Sequence, residues 1–377
     1  MARIAAWLLL VCTLQCATAT SSLGAEWPQD SFVVLCYHDI RDNARQHPDA
    51  YTLETGQLVL QFEWLRAEGY HVVSFDEVLA ARGGGRPLPP RAVLITFDDG
   101  LESAYSRAFP LLRAFHYPAV VALVGSWMER GDEASATRSD FLSQSDIDTM
   151  RASGLIEFAS HSYALHEGVL ANPQGNLEPA AVTRRYDALA GSVEERAARE
   201  TRIEADLARN SEQIEAFTGV RPRLIAWPYG AHDRLTDGIA ARLGMPYGMS
   251  LELGLNTPDV PLTRMRRVLV THDYTTADLA RVLEGPLPRA PLRAVMVSLD
   301  RLQDPDPVRQ EARLSRLLDR IEALGVNAAF VQATPAQLRP PLLNRVAWQL
   351  RTRTGVAVYA GLAPGGVWRR RRTHGSS

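Results

Sequence analysis

The chain has 377 residues, of which 46% are hydrophobic and 22% charged, a composition typical of a globular protein with room for more than one domain. Its formal net charge at pH 7 is -2, so the overall charge gives no reason to expect nucleic acid or an anionic membrane surface as a partner. Beyond the N-terminus no apolar run is long enough to span a bilayer. We therefore predict no nucleic-acid partner.

The N-terminal segment differs in character from the rest of the chain. An apolar stretch from Ala5 to Val11 follows Arg3, and Ala17 to Ala19 supply the small residues that signal peptidase requires. We interpret residues 1–19 as a secretory signal and residues 20–30 as a polar leader. This predicts an exported protein that is periplasmic or associated with the outer membrane.

Three cysteines occur in the chain, and two of them fall in the predicted signal. Cys16 would allow a lipid anchor, although Gln15 is a poor residue before that cleavage site. Once Cys12 and Cys16 have left with the signal, Cys36 remains and can form no internal disulfide. Because Cys36 lies in an apolar run, we interpret it as a small core residue.

From residue 31 onward, short apolar runs alternate with helical patterns, which indicates an α/β domain built on a parallel sheet or barrel. The predicted strands are residues 32–36, 72–74, 92–97, 119–124, 155–159 and 224–227. The predicted helices are residues 55–68, 75–82, 102–115, 144–153, 194–218 and 232–243. A polar stretch at 167–193, with dense turn residues at 172–176, is expected to be functional or disordered because ordinary loops are shorter. We place this first domain at residues 31–285.

A second alternating series follows a proline-rich linker. Its predicted strands and helices are residues 294–299, 307–324, 328–331, 341–353 and 356–360. This order matches the start of a second (β/α) barrel, but a complete barrel takes about 250 residues, and fewer than ninety remain. We therefore predict an incomplete barrel at residues 286–360 and a disordered tail at residues 361–377.

Polar residues follow four of the predicted strands of the first domain, at the point where each strand ends. These four groups are Tyr37-His38-Asp39, Asp98-Asp99-Gly100, Ser160-His161 and Pro228-Tyr229-Gly230. In parallel sheets and barrels the carboxyl ends of the strands share one edge, and that edge holds the active site. The four groups are therefore expected to converge, although they are far apart in sequence.

Two carboxylates and two imidazoles in these groups suggest a metal site. Asp98 and Asp99 would repel each other near a buried edge, and a cation would relieve that repulsion. Neighbouring side chains on an extended backbone point in opposite directions, so one carboxylate could bind metal while the other acts as a base. His161 and His166 cannot share a helix face, but they can converge on a loop. The alternatives are an ordinary Asp-Gly turn and two structural histidines.

This pattern resembles a known family. The segment Thr96-Phe97-Asp98-Asp99-Gly100, followed by His161-Ser162 and then His166, is similar to the first two motifs of the NodB-type polysaccharide deacetylases, carbohydrate esterase family 4. Four further segments are similar to the branch that acts on poly-β-1,6-N-acetylglucosamine, namely residues 37–38, 171–175, 227–230 and 304–307. The resemblance covers about residues 30 to 360. It implies a distorted, circularly permuted (β/α)-barrel-like deacetylase domain, followed by the truncated start of a glycoside-hydrolase-like barrel.

The resemblance also implies roles for individual residues. Asp99, His161 and His166 would bind a divalent metal, for which Zn, Ni, Co and Fe(II) all suit the ligand set. Asp98 would be the general base that deprotonates the attacking water. The metal and the backbone N–H of Tyr229 would hold the oxyanion.

The remaining role is that of the acid that protonates the leaving amine. The resemblance assigns it to His38, with a structural histidine at the strand end as the alternative. The chain has no clear late Leu-x-His motif, which leaves His272 as the other candidate.

The family's third motif usually has an arginine two residues before the proline, where this chain has Ala226. We therefore expect either modest activity or a brace for the base from elsewhere.

The implied reaction is metal-dependent hydrolysis of the N-acetyl groups of an exported N-acetylglucosamine polymer, poly-β-1,6-N-acetylglucosamine. It would support exopolysaccharide export and biofilm formation, with the outer-membrane export machinery as a possible partner. Two alternatives remain open at this point. One is a catalytically weak glycan-binding module, and the other is a deacetylase of peptidoglycan or chitin. The incomplete second barrel, despite Asp300, Asp304 and Asp306, is expected to have no hydrolase activity because a pair of carboxylates across a complete site is needed.

Overall fold

The computed structural model describes residues 27–44, 50–130, 140–173, 175–284, 293–324, 326, 328–334, 341–354, 356–362 and 369–370. The strands of the first domain are β1 Phe32–Tyr37, β2 Asp39–Arg41, β3 Thr52–Glu54, β4 His71–Val72, β5 Ala92–Phe97, β6 Ala119–Leu123, β7 Ile156–Ser160, β8 Gly168–Leu170, β9 Leu177–Pro179, β10 Tyr186–Asp187, β11 Ser192–Val193, β12 Leu224–Ala226, β13 Tyr247–Met249 and β14 Val268–Leu269. Its helices are α1 Thr55–Ala67, α2 Phe75–Arg82, α3 Phe109–Phe115, α4 Gly125–Arg130, α5 Gln144–Ala152, α6 Arg196–Thr218, α7 Arg234–Arg242 and α8 Thr276–Glu284. The predicted signal, most of the leader and the proline-rich linker lie outside the described residues.

One parallel sheet organises the first domain. Its strand order is β13-β12-β7-β6-β5-β1-β14, with β4 also paired to β5, and every pairing is parallel. The two ends of the sheet approach each other irregularly. The N–H of Met265 donates to the carbonyl of Gly248 at 2.8 Å, and the N–H of Ser250 donates to the carbonyl of Met265 at 2.8 Å. This confirms the predicted α/β fold, a distorted barrel whose strands all end on one edge.

The central strands are apolar throughout because both of their faces are covered, as is usual for parallel sheets. All residues of β1, β5 and β6 are buried. Alternate residues of β1 point to opposite sides. Val33 and Leu35 contact the cluster that contains Phe62 and Leu112, whereas Phe32 and Val34 belong to a separate cluster. The sheet is therefore a rigid platform for the residues at its carboxyl edge.

The structure differs from the predicted elements at two places. The single helix predicted for residues 102–115 is a π-helical turn at residues 104–108 that runs directly into α3, with Pro110 in the first turn of α3. The polar stretch at 167–193 contains two antiparallel pairs, β8–β9 and β10–β11. Its turn at Asn172 is closed by an N–H of Asn176 bonded to the Asn172 side chain at 3.3 Å. The described part of this stretch is thus folded.

The second unit contains β15 Ala294–Ser298, α9 Leu299–Leu302, α10 Pro307–Leu324, β16 Ala328–Ala333, α11 Pro341–Thr354, β17 Ala357–Leu362 and β18 Arg369–Arg370. The first three strands are parallel, and β18 adds antiparallel to β17. Its apolar cluster includes Leu318, Val331 and Leu350. Residues 361–362 and 369–370 lie in strands, which differs from the predicted disordered tail; the other tail residues lie outside the described part. Among the described helices, none combines the length and apolar composition needed to span a membrane.

Candidate active site

Three of the predicted site residues meet at the carboxyl edge of the sheet. The carboxylate oxygen Oδ1 of Asp99 lies 3.4 Å from Nε2 of His161 and 3.5 Å from Nε2 of His166. One potential ligand atom from each residue lies within 4.8 Å of the others. The strand ends and the loop between the two histidines therefore bring the predicted metal ligands together.

The orientation of this trio fits a cation. Nδ1 of His161 donates to the backbone carbonyl of Ala226 at 2.7 Å, because a carbonyl can only accept, and this leaves the lone pair of Nε2 directed at Asp99. Oδ1 of Asp99 is buried and accepts no hydrogen bond. A buried carboxylate oxygen without a donor is costly, and a bound divalent ion would satisfy it. The residues present thus fit a metal, and Ala226 contributes through its backbone.

The two imidazoles have different electrostatic environments. Burial disfavours the charged form of His161, but the carboxylates of Asp98 and Asp99 outweigh it and raise the pKa of His161. Burial lowers the pKa of His166, and the neighbouring His161 lowers it further. A neutral imidazole is the form that binds metal.

The loop between the two histidines is held by α6. The carboxylate of Asp206 accepts the N–H of Tyr163 at 2.9 Å and the N–H of Ala164 at 2.8 Å. One turn further along the helix, Asn210 donates to the hydroxyl of Ser160 at 2.8 Å. Burial raises the pKa of Asp206 to about 6, against the opposing effect of the two amides. Asp206 was not among the predicted site residues, because it lies more than forty residues from the loop along the chain.

Asp98 is not part of the trio and is braced by a buried arginine. Nη1 of Arg267 lies 2.8 Å from Oδ1 of Asp98, and the two side chains are 0% and 2% exposed. Arg267 is itself held by the carbonyl of Ser250 at 2.9 Å. Burial opposes the charge on Asp98, but Arg267 and the nearby His161 outweigh it, so the pKa of Asp98 is held well below its usual range. Because Ala226 replaces the usual arginine of the third motif, we expected either modest activity or a brace for the base from elsewhere. Arg267 is that brace.

Arg267 was missed because nothing local distinguishes it. It is one of three arginines between residues 264 and 267, directly before β14, and it lies 169 positions from Asp98 along the chain. The sequence does not show which of these arginines is buried, and the buried one needs an acid as its partner.

Cys36, His38 and Asp98 form a second group of ionisable atoms within 4.8 Å of one another. Cys36 is buried, as predicted, and its thiol donates to Oδ2 of Asp98 at 3.5 Å. Burial raises the pKa of Cys36 far above its ordinary value, so it stays a thiol. With a neutral thiol and an acid already paired with Arg267, this group is a poorer cation site than the trio. It suits proton transfer better.

His38 directly follows β1 at the same edge, as the strand pattern predicted. Its Nδ1 is buried and has no hydrogen-bond partner, and its ring lies 5.2 Å from the ring of Tyr51 between centroids. The other candidate acid, His272, is exposed and lies 3.4 Å from the carbonyl of Ala50. His272 belongs to neither group of ionisable atoms found among the described residues.

Tyr229 lies in a 3₁₀ turn at Pro228–Gly230, directly after β12. Its φ of 57° is unusual for a residue other than glycine and marks a turn held by its surroundings. Gly230 continues the turn at φ 64°, and a Cβ there would come within 2.5 Å of the backbone N of Leu251. The tight turn brings the Tyr229 ring to 4.7 Å from the His166 ring. All six predicted site residues therefore lie at one edge.

Comparisons with known proteins identify the family. The family model described as polysaccharide deacetylase matches residues 85–248. The solved deacetylase domain of BpsB from Bordetella bronchiseptica is 46% identical and aligns with a TM-score of 0.59 over 65% of this chain and 98% of that domain. The chain belongs to the polysaccharide deacetylase family. A de-N-acetylase from Aggregatibacter actinomycetemcomitans is 31% identical, with a TM-score of 0.61 over 67% of this chain and 99% of that one.

Curated relatives in the polysaccharide deacetylase family extend the similarity. The poly-beta-1,6-N-acetyl-D-glucosamine N-deacetylase of Escherichia coli K12 is 32% identical over 359 residues, which cover 89% of this chain and 53% of that protein. The chain thus spans about half the length of the curated relatives it matches most extensively. The predicted resemblance and the predicted barrel-like deacetylase fold are confirmed.

Proposed function

We propose that this chain is a metal-dependent polysaccharide N-deacetylase that removes N-acetyl groups from poly-β-1,6-N-acetylglucosamine. The observation that carries the proposal is the trio Asp99, His161 and His166 beside a separately braced Asp98, in a chain of the deacetylase family. The substrate comes from the relatives, since the E. coli protein named for this polymer and the BpsB domain are similar to the first domain.

The trio would hold one divalent ion, with Zn, Ni, Co and Fe(II) all compatible with two imidazoles and one carboxylate. When bound, such an ion polarises a carbonyl and lowers the pKa of water towards neutrality. Ala226 fixes the tautomer of His161, and Asp206 fixes the loop that carries both histidines. The chain itself therefore sets the geometry of the site.

The other site residues would move protons and hold charge. Asp98, kept ionised by Arg267, would accept the proton of the attacking water. The backbone N–H of Tyr229 would donate to the oxyanion that forms at the acetyl carbon. His38, whose Nδ1 has no other partner, would give a proton to the departing amine.

We also propose that the protein is exported, to the periplasm or the outer membrane, and that it works with a polysaccharide export machinery in biofilm formation. The apolar segment before Ala17 supports export, and Cys16 would allow a lipid anchor. The relatives named for poly-β-1,6-N-acetylglucosamine support the biofilm setting. Fractionation of cells that produce the full chain would test the location, and a cytoplasmic protein with an uncleaved N-terminus would contradict it.

Acetate release from defined polymers tests the function. Purified protein should release acetate from β-1,6-linked N-acetylglucosamine oligomers faster than from chitin oligomers or peptidoglycan. A chelator should abolish release, and added divalent metal should restore it. Faster release from chitin or peptidoglycan would support the deacetylation reaction but reject poly-β-1,6-N-acetylglucosamine as the substrate. Binding of the oligomers without acetate release at any metal would reject the enzyme in favour of a glycan-binding module.

A further inference from the structure

Two exposed tyrosines stand out beside the proposed active site. Among the large apolar side chains that are exposed in the described residues, Tyr51 and Tyr229 are the aromatic ones, at 45% and 49% exposure. The others are aliphatic and lie at various places in the chain. Both tyrosines lie at the carboxyl edge of the sheet, one in contact with His38 and one in contact with His166.

The two rings flank the group of reacting residues. The Tyr51 ring lies 5.2 Å from the His38 ring, beside the proposed acid. The Tyr229 ring lies 4.7 Å from the His166 ring, beside the proposed metal site, and Trp127 packs near the same imidazole at 4.8 Å.

The chemistry of these side chains suits an amino sugar. A β-linked pyranose has flat C–H faces and a rim of hydroxyl groups. A tyrosine offers a flat apolar ring and a phenol that can both donate and accept, and it loses little conformational entropy when bound. Exposed aromatic surface beside a reaction centre is a common sign of a binding site.

We propose that Tyr51 and Tyr229 form a binding subsite for the sugar ring whose N-acetyl group is removed, with Tyr51 as the stacking platform on the His38 side. This inference rests on the proposed function, since it takes the reacting group to be an N-acetyl group on an amino sugar. It assigns Tyr51 a role in substrate affinity. A tyrosine that only supported the His38 ring would instead change the turnover number.

Oligomer affinity separates these roles. In an Asp98→Asn parent, which should bind without turnover, we would measure the Kd of a short β-1,6-linked N-acetylglucosamine oligomer. Adding Tyr51→Ala should weaken binding by roughly 10-fold, whereas adding Tyr51→Phe should keep most of the affinity. Leu60→Ala is the matched control, because Leu60 is 49% exposed on α1.

Kinetics on the otherwise unchanged enzyme complete the test. Tyr51→Ala should raise KM more than it lowers kcat. Unchanged oligomer affinity in Tyr51→Ala, or a lower kcat with unchanged KM, would overturn the subsite. Acetate release by the unaltered enzyme is measured in the same preparation. If the unaltered enzyme releases acetate but Tyr51→Ala changes nothing, only the subsite is rejected. If Tyr51→Ala weakens oligomer binding but the unaltered enzyme releases no acetate with any metal, the proposed function is rejected.

Discussion

At the scale of single residues, the site separates two neighbouring carboxylates into different environments. Asp99 adopts a φ of 78° and turns its carboxylate towards two imidazoles. Asp98 continues the direction of β5, where its N–H bonds to the carbonyl of Tyr37 at 2.9 Å and its carboxylate meets Arg267. The change of backbone conformation between the two residues is what allows one to bind metal while the other stays an ionised base.

The buried pair of Arg267 and Asp98 should be far more important than a surface pair of the same kind. Arg267→Ala would leave a buried carboxylate unpaired, which typically costs about 3–5 kcal/mol. The pair of Arg281 and Asp278 is the control, because Arg281 is 67% exposed and such pairs contribute roughly 0–1 kcal/mol. Denaturant unfolding of both alanine variants measures the difference. Equal small losses would show that Arg267 does not brace Asp98.

His38 should matter for the rate and little for metal binding. If it protonates the departing amine, His38→Ala should lower amide turnover by roughly 10²–10⁴. The turnover of an ester analogue should fall by a smaller factor, because an alkoxide leaves more easily than an amine. Metal content should stay close to that of the parent.

His272→Ala is the matched control for the proton donor, since His272 is exposed and lies in neither group of ionisable residues. It should retain its activity. Loss of metal in His38→Ala would make His38 a ligand. Full amide turnover would make it structural, and His272 would then be the next candidate.

At the scale of elements, α6 controls the loop that carries the metal histidines. Asp206→Ala would leave the N–H groups of Tyr163 and Ala164 without their acceptor, so the loop should lose its fixed conformation. We expect metal affinity to fall by roughly 10–100-fold, the usual effect of removing a group that orders ligands. Glu212→Ala, at an exposed position of the same helix, should bind metal as the parent does.

Titration of the metal-free variants with Co²⁺ measures that affinity, and the absorption of the bound ion reports its geometry. A fall in thermal stability with unchanged Co²⁺ affinity would make Asp206 a structural residue only.

Several elements could be predicted from the sequence with close bounds. The structure has α1, α2, β5 and α10 within one residue of the predicted bounds, and α2 begins with the capping box of Ser74 and Glu77. Strands β13 and β14 were missed because two or three residues carry no periodicity. The site histidines and aspartates could be predicted because they follow strands. Arg267 and Asp206 could not, since each gains its role from a tertiary contact.

At the scale of the whole molecule, the two units differ in how completely their sheets are covered. Strands β1, β5 and β6 are buried on both faces, whereas in the second unit Met296 is 58% exposed and Phe330 and Tyr359 are partly buried. Parallel sheets are usually covered on both sides. The second unit does have its own apolar cluster.

The second unit should therefore be the less stable part of the chain. Limited proteolysis should remove residues from about 291 onward and leave a core that still releases acetate. Mass spectrometry of the resistant fragment and its acetate release check both statements. Protection of the whole segment from cleavage, under conditions that cut an unfolded control, would show that the second unit folds as stably as the first.

Metal content and turnover of two single variants test the assignment of the site most directly. Asp99→Asn removes a carboxylate from the trio and should lose both the metal and acetate release. Asp98→Asn keeps the trio intact and should retain the metal while acetate release is lost. Elemental analysis of both purified variants, alongside acetate release from the β-1,6-linked oligomer, gives the result. Equal loss of metal from the two variants, or turnover by Asp98→Asn at the rate of the unaltered enzyme, would contradict the account.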